Sequence, residues 1–123
     1  MRFVNPIAFV RDVKQSRAFY QEILGLTVAE DHGTIVIFEE HFAIHDGPAL
    51  AVTVWGEGDA EGGAYGRRNV LYYFEDDDID VCFARVADRV DLIHPITKQP
   101  WGQRVFRFHD PDGHAIEIGE PMT

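Results

Sequence analysis

The stretch Trp101-Gly-Gln-Arg-Val-Phe-Arg-Phe-His-Asp110-Pro-Asp-Gly113, followed directly by His-Ala-Ile-Glu-Ile118, predicts two strands joined by a tight turn. Pro111 fixes φ at one corner of the turn, and Gly113 tolerates the positive φ that such a turn requires. The carboxylates of Asp110 and Asp112 can accept hydrogen bonds from nearby backbone amides. We therefore expect the last strand of the chain to begin just after Gly113.

Glu117 is the acidic residue of this return strand, and it lies between Ile116 and Ile118. Side chains alternate between the two faces of a strand, so Glu117 must project from the face opposite both isoleucines. If the isoleucines pack in the core, the carboxylate points to solvent or into a cavity. Glu117 is therefore a candidate general base.

The strand pair resembles the C-terminal strands of the vicinal oxygen chelate superfamily, which includes glyoxalase I, bleomycin-resistance proteins, fosfomycin-resistance enzymes and extradiol dioxygenases. The segment Asn5-Pro-Ile-Ala-Phe-Val-Arg-Asp12, with Phe19-Tyr20 and Leu24-Gly25-Leu26 after it, is similar to that family's first strand and helix. The resemblance spans nearly the whole chain and is closest in style to a glyoxalase/bleomycin-resistance-like protein. It implies an α+β fold of two tandem βαβββ modules whose sheets curl to enclose a trough.

The order of predicted elements indicates a duplicated module. A strand precedes Asp12, which is a good N-cap residue with Gln15 three positions later, and Gly25 ends the helix. Asp78 precedes a second apolar helical pattern, and a shift of 66 residues places Asp12 on Asp78. In the first half the predicted strands are residues 3–10, 26–29, 34–38 and 42–45, with a further extended run at 50–55; the second half begins with a strand at 69–74.

The chain length predicts a single domain, 1–123, with module one at about 1–55, a linker at 56–66 and module two at about 67–123. The linker is inferred from an acidic, glycine-rich composition. Chains of this size in the family usually dimerise, so the resemblance also implies a homodimer.

Composition disfavours several classes of function. The formal charge of −10 over 123 residues disfavours nucleic acid and anionic membranes, since both bind clustered Lys and Arg. No apolar run is long enough to span a bilayer and no signal peptide is evident, so we expect a cytoplasmic protein without a membrane partner. Cys82 lies in a helical apolar pattern and is expected to be a buried, inert thiol.

The metal ligands of the family are poorly matched here. In metal-using relatives the residue at Glu117 is a ligand, but the positions on the first strand of each half hold Asn5 and Leu71, or Asn69 if the register is off by two. Asn is a weak ligand for transition metals and Leu has no donor. His45 could join Glu117 if its strand parity turns it to the same cavity. We therefore expect no cofactor; if a divalent metal does bind, its ligands are Glu117 and His45.

Arg107 and His109 project from the same face of the predicted strand. The resemblance implies that this face lines the cavity and that Phe106 and Phe108 pack against the helices. Arg107 then becomes a candidate partner for Glu117 or for an anionic ligand group. The alternative is a cross-strand Arg–Glu pair on a solvated face.

The remaining candidates lie on or beside predicted strands, and we expect a fraction of the aromatic residues among them to line the trough, with Trp101 either in its wall or in the core. His94, which precedes a proline, is expected to be structural. The predicted ligand-binding residues are Asn5, Ile7, Phe9, His45, Leu71, Tyr73, Trp101, Arg107 and Glu117.

Two functions remain open, with a trough that mediates only self-association as a third alternative. The first is a metal-independent protein that binds a small compound in the trough between the modules, for which the acidic composition allows a cation. The second is a glyoxalase-like lyase or isomerase in which Glu117 acts as general base, or as ligand of a divalent metal, on a small oxygenated substrate. Asn5, Leu71 and the net charge favour the first.

Overall fold

The computed structural model describes residues 1–58 and 62–122, and it divides the chain into two compact units, Met1–Tyr65 and Gly66–Thr123. Residues 59–61 of the predicted linker and residue 123 of predicted module two lie outside the described residues. The division into module one, linker and module two stays a prediction.

The first unit is a four-stranded sheet with two helices. The sheet has the order β1-β4-β3-β2, in which β1 runs parallel to β4 and the other pairs are antiparallel. Its elements are β1 (Ile7–Val10), α1 (Val13–Glu22), β2 (Val28–Asp31), β3 (Ile35–Phe38), β4 (Phe42–Asp46) and α2 (Gly47–Trp55).

Helix α1 begins and ends where the sequence predicts. The Asp12 carboxylate accepts a hydrogen bond from the Gln15 amide at 3.1 Å, and Gly25 adopts a φ of +71° after the last turn. Tyr20, fully buried on this helix, packs its ring against Phe38 and Phe42. These contacts put α1 on the face of the sheet that carries the core of the first unit.

The predicted extended run at 50–55 is wrong, because these residues form the end of helix α2. Asp46 caps the helix by accepting from the Ala49 amide at 3.0 Å, Pro48 lies in the first turn, and Gly56 closes the helix with a φ of +79°. A short apolar run has no periodicity that separates a strand from a buried helix, and these flanking signals decide it. The strands predicted at 3–10 and 26–29 are present with different bounds, Ile7–Val10 and Val28–Asp31.

The second unit repeats the first in element order. Its sheet has the order β5-β8-β7-β6, with β5 parallel to β8 and the other pairs antiparallel. The elements are β5 (Leu71–Glu75), α3 (Ile79–Val86) with a 3-10 turn (Ala87–Arg89), β6 (Asp91–Lys98), β7 (Arg104–His109) and β8 (Ala115–Gly119). The predicted α+β fold of two tandem modules is confirmed. Within the described ranges, no helix combines the length and apolar character needed to cross a membrane.

The turn between β7 and β8 has the predicted chemistry. One carboxylate oxygen of Asp110 accepts from the amides of Asp112 and His114, both at 2.9 Å, and Gly113 has a φ of +79°. Both aspartates are buried. Because the turn satisfies its own amides, it fixes the register of β8 and hence the position of Glu117.

Candidate functional site

The second sheet presents its two faces as the alternation predicts. Ile116 and Phe108 are fully buried together with Phe106, and the Phe106 ring contacts Phe83 of α3 at 5.1 Å between ring centroids. The apolar side chains therefore face α3. Glu117, being one residue out of phase with Ile116, lies on the opposite face.

Four polar side chains form one row across this opposite face, one from each strand. Tyr73 of β5 pairs in register with Glu117 of β8, Glu117 with Arg107 of β7, and Arg107 with His94 of β6. We call this set the polar row. It brings a carboxylate, a guanidinium, an imidazole and a phenol into neighbouring positions.

Arg107 and Glu117 form the central ion pair of the polar row. Arg107 Nε and Nη2 approach the same carboxylate oxygen, Glu117 Oε1, at 2.7 and 2.6 Å. The Glu117 side chain is only 6% exposed and that of Arg107 24%, so the pair is not the solvated surface pair that sequence parity also allowed. Among the described residues none donates a hydrogen bond to Oε2, the second oxygen. One acceptor of a buried carboxylate is therefore left for another donor.

His94 extends the pair, although the sequence suggests only a structural role. Its Nδ1 lies 2.7 Å from the carbonyl oxygen of Pro95, and its Nε2 lies 3.2 Å from Arg107 Nη1. A carbonyl and a guanidinium fix the tautomer, because Nδ1 must donate to the first and Nε2 must accept from the second. His94 therefore helps to orient the Arg107 guanidinium through this hydrogen bond.

Strand parity could not have found His94. The β6–β7 pairing shifts register between Leu92 and His94 and again between His94 and Thr97. Each shift is a β-bulge that inserts an extra residue and changes which side chains share a face. Simple alternation from Leu92, which pairs with Phe108, would have placed Ile93 rather than His94 opposite Arg107.

A second hydrogen-bonded group lies beside the polar row and was missed by the sequence reasoning. The buried amide of Gln103 accepts from Trp101 Nε1 at 2.9 Å and donates to Tyr73 Oη at 2.8 Å. Tyr73 Oη in turn donates to Glu75 Oε2 at 2.6 Å. A glutamine next to a turn gives no sequence signal of burial, so only the folded chain reveals this role.

The surroundings of Tyr73 favour its protonated form. The pKa of Tyr73 is raised, first because its hydroxyl donates to the Glu75 carboxylate, with the Gln103 donor acting in the opposite direction. Tyr73 and Leu71 are half exposed on the same face. This side of the sheet thus combines exposed apolar surface with a fixed set of polar groups.

The predicted ligand-binding residues of the first unit lie on its own sheet. Phe9 pairs in register with His45, and both lie on the face opposite α1, since the neighbouring Ile44 shares the core face. The Phe9 ring contacts Trp55 and Tyr65 at 5.5 and 5.8 Å between ring centroids. His45 therefore lies on the face of the first sheet opposite α1, which the sequence alone left open.

Asn5 and Ile7, the other two predicted ligand-binding residues of the first unit, lie at or just before the start of β1. Asn5 donates from its side chain to the adjacent carbonyl of Pro6 at 2.8 Å, and Ile7 is exposed at the start of β1. The His45 ring meets the carbonyl of Asp46 through Nδ1 at 3.0 Å. The ligand-binding roles of Asn5, Ile7, Phe9 and His45 stay predictions.

The donor set does not fit the metal centre that the resemblance implies. Over residues 1–58 and 62–122, no group of three or more His, Cys, Asp and Glu side chains is placed to hold a metal ion. The guanidinium of Arg107 contacts Glu117 Oε1, and its positive charge disfavours a metal cation at the same carboxylate. Three protein ligands are the usual minimum for a catalytic zinc site, and the described residues do not supply them around Glu117.

Comparison with known proteins identifies the family to which this fold belongs. The model of the glyoxalase-like domain family matches residues 3–123. The chain belongs to the glyoxalase-like domain family. The resemblance to the vicinal oxygen chelate superfamily is thereby confirmed, and the closing strand pair that carries Glu117 lies within the matched region.

Solved structures show the same glyoxalase-like fold. A protein of unknown function from Agrobacterium tumefaciens strain C58 is 56% identical, with a TM-score of 0.92 over 99% of this chain and 95% of its own. A glyoxalase/bleomycin resistance protein/dioxygenase from Nocardioides is 23% identical, with a TM-score of 0.77 over 98% and 83%. A lactoylglutathione lyase from Agrobacterium tumefaciens is 21% identical, with a TM-score of 0.69 over 97% and 92%. No match was found among curated proteins.

Proposed function

We propose that this glyoxalase-like protein binds a small molecule, without a metal, on the face of the second sheet that carries the polar row. The observation that supports this is the buried Arg107–Glu117 pair, whose carboxylate keeps one oxygen, Oε2, with no donor among the described residues. Burying an ion pair costs desolvation energy that a well-packed apolar pair would avoid. A pair kept on a face with exposed Leu71 and Tyr73 is consistent with recognition of a ligand.

The ligand should carry an N–H or O–H donor for Glu117 Oε2. The Arg107 guanidinium already places a positive charge on this carboxylate, so a second full cation gains less than it would beside an unpaired acid. The expectation of a cationic compound therefore broadens to a compound with a hydrogen-bond donor, charged or neutral. An apolar body on the same molecule would cover the exposed side chains beside the polar row.

Three probes that share one ring test this proposal: benzamide, benzamidine and benzoate. The Arg107 Nε–H resonance is followed by NMR while each probe is titrated. Benzamide and benzamidine should shift this resonance, and benzoate, which has no donor and repels the carboxylate, should bind about tenfold more weakly or not at all. If benzoate binds as tightly as benzamide, the proposed use of Oε2 is wrong.

The variant Glu117→Gln gives the matching test. It leaves Arg107 without its counter-ion, so the preference should reverse toward benzoate. The control is Glu30→Gln, because Glu30 is an exposed glutamate of β2 whose change alters the net charge equally. An unchanged ranking of the probes in Glu117→Gln would contradict the proposal.

A second candidate function is an enzyme of the lyase or isomerase type with Glu117 as general base. The same open oxygen favours it, because a base needs an acceptor that reaches the substrate proton, and Arg107 beside it could stabilise a developing anion. The test is exchange of the carbon-bound protons of dihydroxyacetone in deuterated water, followed by NMR. Glu117 as base should accelerate exchange at least about a hundredfold over buffer, and Glu117→Gln should abolish the acceleration. Exchange at the buffer rate would remove this candidate.

We further propose a homodimer located in the cytoplasm, as the sequence predicts. Sedimentation of the purified protein tests the first part, and a mass equal to that of one chain would contradict it.

A further inference from the structure

The side-chain amide of Gln103 forms hydrogen bonds with two exposed aromatic side chains, Trp101 and Tyr73. Gln103 is 6% exposed, and its oxygen accepts from the Trp101 indole while its nitrogen donates to Tyr73 Oη and to the Glu120 carbonyl oxygen at 2.7 Å. Both amide N–H groups are therefore used, as is one lone pair of the oxygen. The two rings are tied to one buried anchor by their polar edges.

The rings themselves remain open to solvent. Trp101 is 56% exposed and Tyr73 47% exposed. Large exposed rings usually sample several rotamers, and a ligand must then offset the loss of that freedom when it binds. Here the Trp101 edge is fixed by Gln103, while the Tyr73 hydroxyl is fixed twice, by Gln103 and by Glu75.

Gly119 of β8 provides the space for this anchor. A Cβ atom at Gly119 would lie 2.4 Å from Gln103 Nε2 and 3.4 Å from Tyr73 Cε1. Gly119 is not among the glycines with positive φ, so its backbone conformation does not require glycine. The missing side chain instead lets the Gln103 amide lie directly against the strand.

We propose that Gln103, given room by Gly119, is a positioning residue that presets the planes of Trp101 and Tyr73 to receive a flat ring of the ligand. This inference rests on the proposed function, because it assigns the ring-binding part of the same face. When two aromatic side chains are already ordered in the free protein, less conformational entropy is lost on binding, so the affinity rises without an added contact. Gln103 acts only through the two rings.

The first readout is the Trp101 indole N–H resonance in the ligand-free protein. The chain has two tryptophans, so a two-dimensional NMR spectrum contains two indole signals, and Trp101→Phe assigns them. Gln103→Met should move the Trp101 signal upfield and speed its exchange with solvent, because the acceptor is lost. Gln103→Glu keeps the acceptor oxygen and should preserve the signal.

Gly119→Ala is an independent perturbation that removes no hydrogen-bonding group. The new methyl group must displace the flexible end of Gln103, so the Trp101 signal should change as it does in Gln103→Met. The matched control is Gln99→Met. Gln99 lies in the same connection and donates to the Thr97 carbonyl oxygen, but it contacts neither ring through a hydrogen bond.

The second readout is the dissociation constant for benzamide. Gln103→Met and Gly119→Ala should weaken it about tenfold, while Gln99→Met should leave it unchanged. Urea unfolding of each variant measures the loss of stability separately. An altered indole signal with unchanged benzamide affinity would overturn the positioning role, as would an indole signal that stays at its wild-type position. Failure of the wild-type protein to bind any of the three probes would instead overturn the proposed function.

Discussion

Removing the guanidinium of Arg107 should destabilise the second unit through the buried carboxylate it leaves behind. Two N–H groups of Arg107 contact Glu117 Oε1 within 2.7 Å. Removing one partner of a buried ion pair costs about 3–5 kcal/mol, and Arg107 is about one quarter exposed, so the lower end applies. Arg107→Met should therefore cost about 3 kcal/mol. In a chain of this size that lowers Tm by about 10 °C.

A double-mutant cycle separates the pair from the individual residues. Glu117→Gln should cost less, about 1.5 kcal/mol, because the amide oxygen still accepts from Arg107 and the cation retains some solvent. The double variant should cost about 2 kcal/mol less than the sum of the two single variants. Urea unfolding followed by far-UV circular dichroism measures all four proteins, provided that m stays constant across them.

The control lies in the same strand. Arg104 pairs with Asp80 through two hydrogen bonds of 3.1 and 3.0 Å, but both side chains are well exposed. Arg104→Met should therefore destabilise the protein far less than Arg107→Met, since exposed pairs are screened by water. Additivity of the Arg107 and Glu117 changes within about 0.5 kcal/mol would refute the coupling inferred from the geometry.

Three further changes have defined outcomes. Burial, followed by the charges of two nearby aspartates, raises the pKa of Tyr72 to about 12. The folded state therefore favours the neutral phenol, and the stability that this contributes below pH 10 is lost as the pH rises from about 10 to about 12. Tyr72→Phe should reduce this loss, as measured by urea unfolding at several pH values. Gly66→Ala should cost about 2 kcal/mol or more, because its Cβ would lie 1.9 Å from the Gly113 carbonyl oxygen. The control Gly58→Ala should be nearly neutral, because its Cβ would meet only a side-chain atom at 3.8 Å. Equal changes in Tm for the two variants would contradict this. Asp78→Ala should cost about 1 kcal/mol by removing the cap on the Val81 amide, with Asp78→Asn restoring most of it, and a failure of Asn to restore stability would argue against capping.

Local signals in the sequence were sufficient where the structure depends on local chemistry. Asp12 and Asp78 cap helices α1 and α3 as predicted, and the turn that ends at Gly113 fixes the last strand. The alternation around Glu117 correctly placed Ile116 and Ile118 in the core. Each of these depends on a few neighbouring residues, which is why a single sequence is enough to predict them.

The run at 50–55 was mispredicted although its deciding signals are local, because its apolar pattern fits either a strand or a buried helix and the Asp46 cap and Gly56 flank it. The other misses depend on residues far along the chain. His94 reaches Arg107 only because two bulges shift β6 against β7. Gln103 is buried only because Gly119, 16 residues away, leaves space for its amide.

Except for helix α2, the sequence by itself determined the order of strands and helices, the repeat of that order in the two halves and the strand that carries Glu117, because alternation, caps and turns are properties of short segments. The tertiary structure alone decided what surrounds that carboxylate. Register between strands placed Arg107 on one oxygen of Glu117 and His94 on Arg107, while Oε2 has no donor among the described residues. The chemical character of an acid depends on the charges and donors within a few ångströms of it, and those neighbours are set by the pairing of strands distant in sequence.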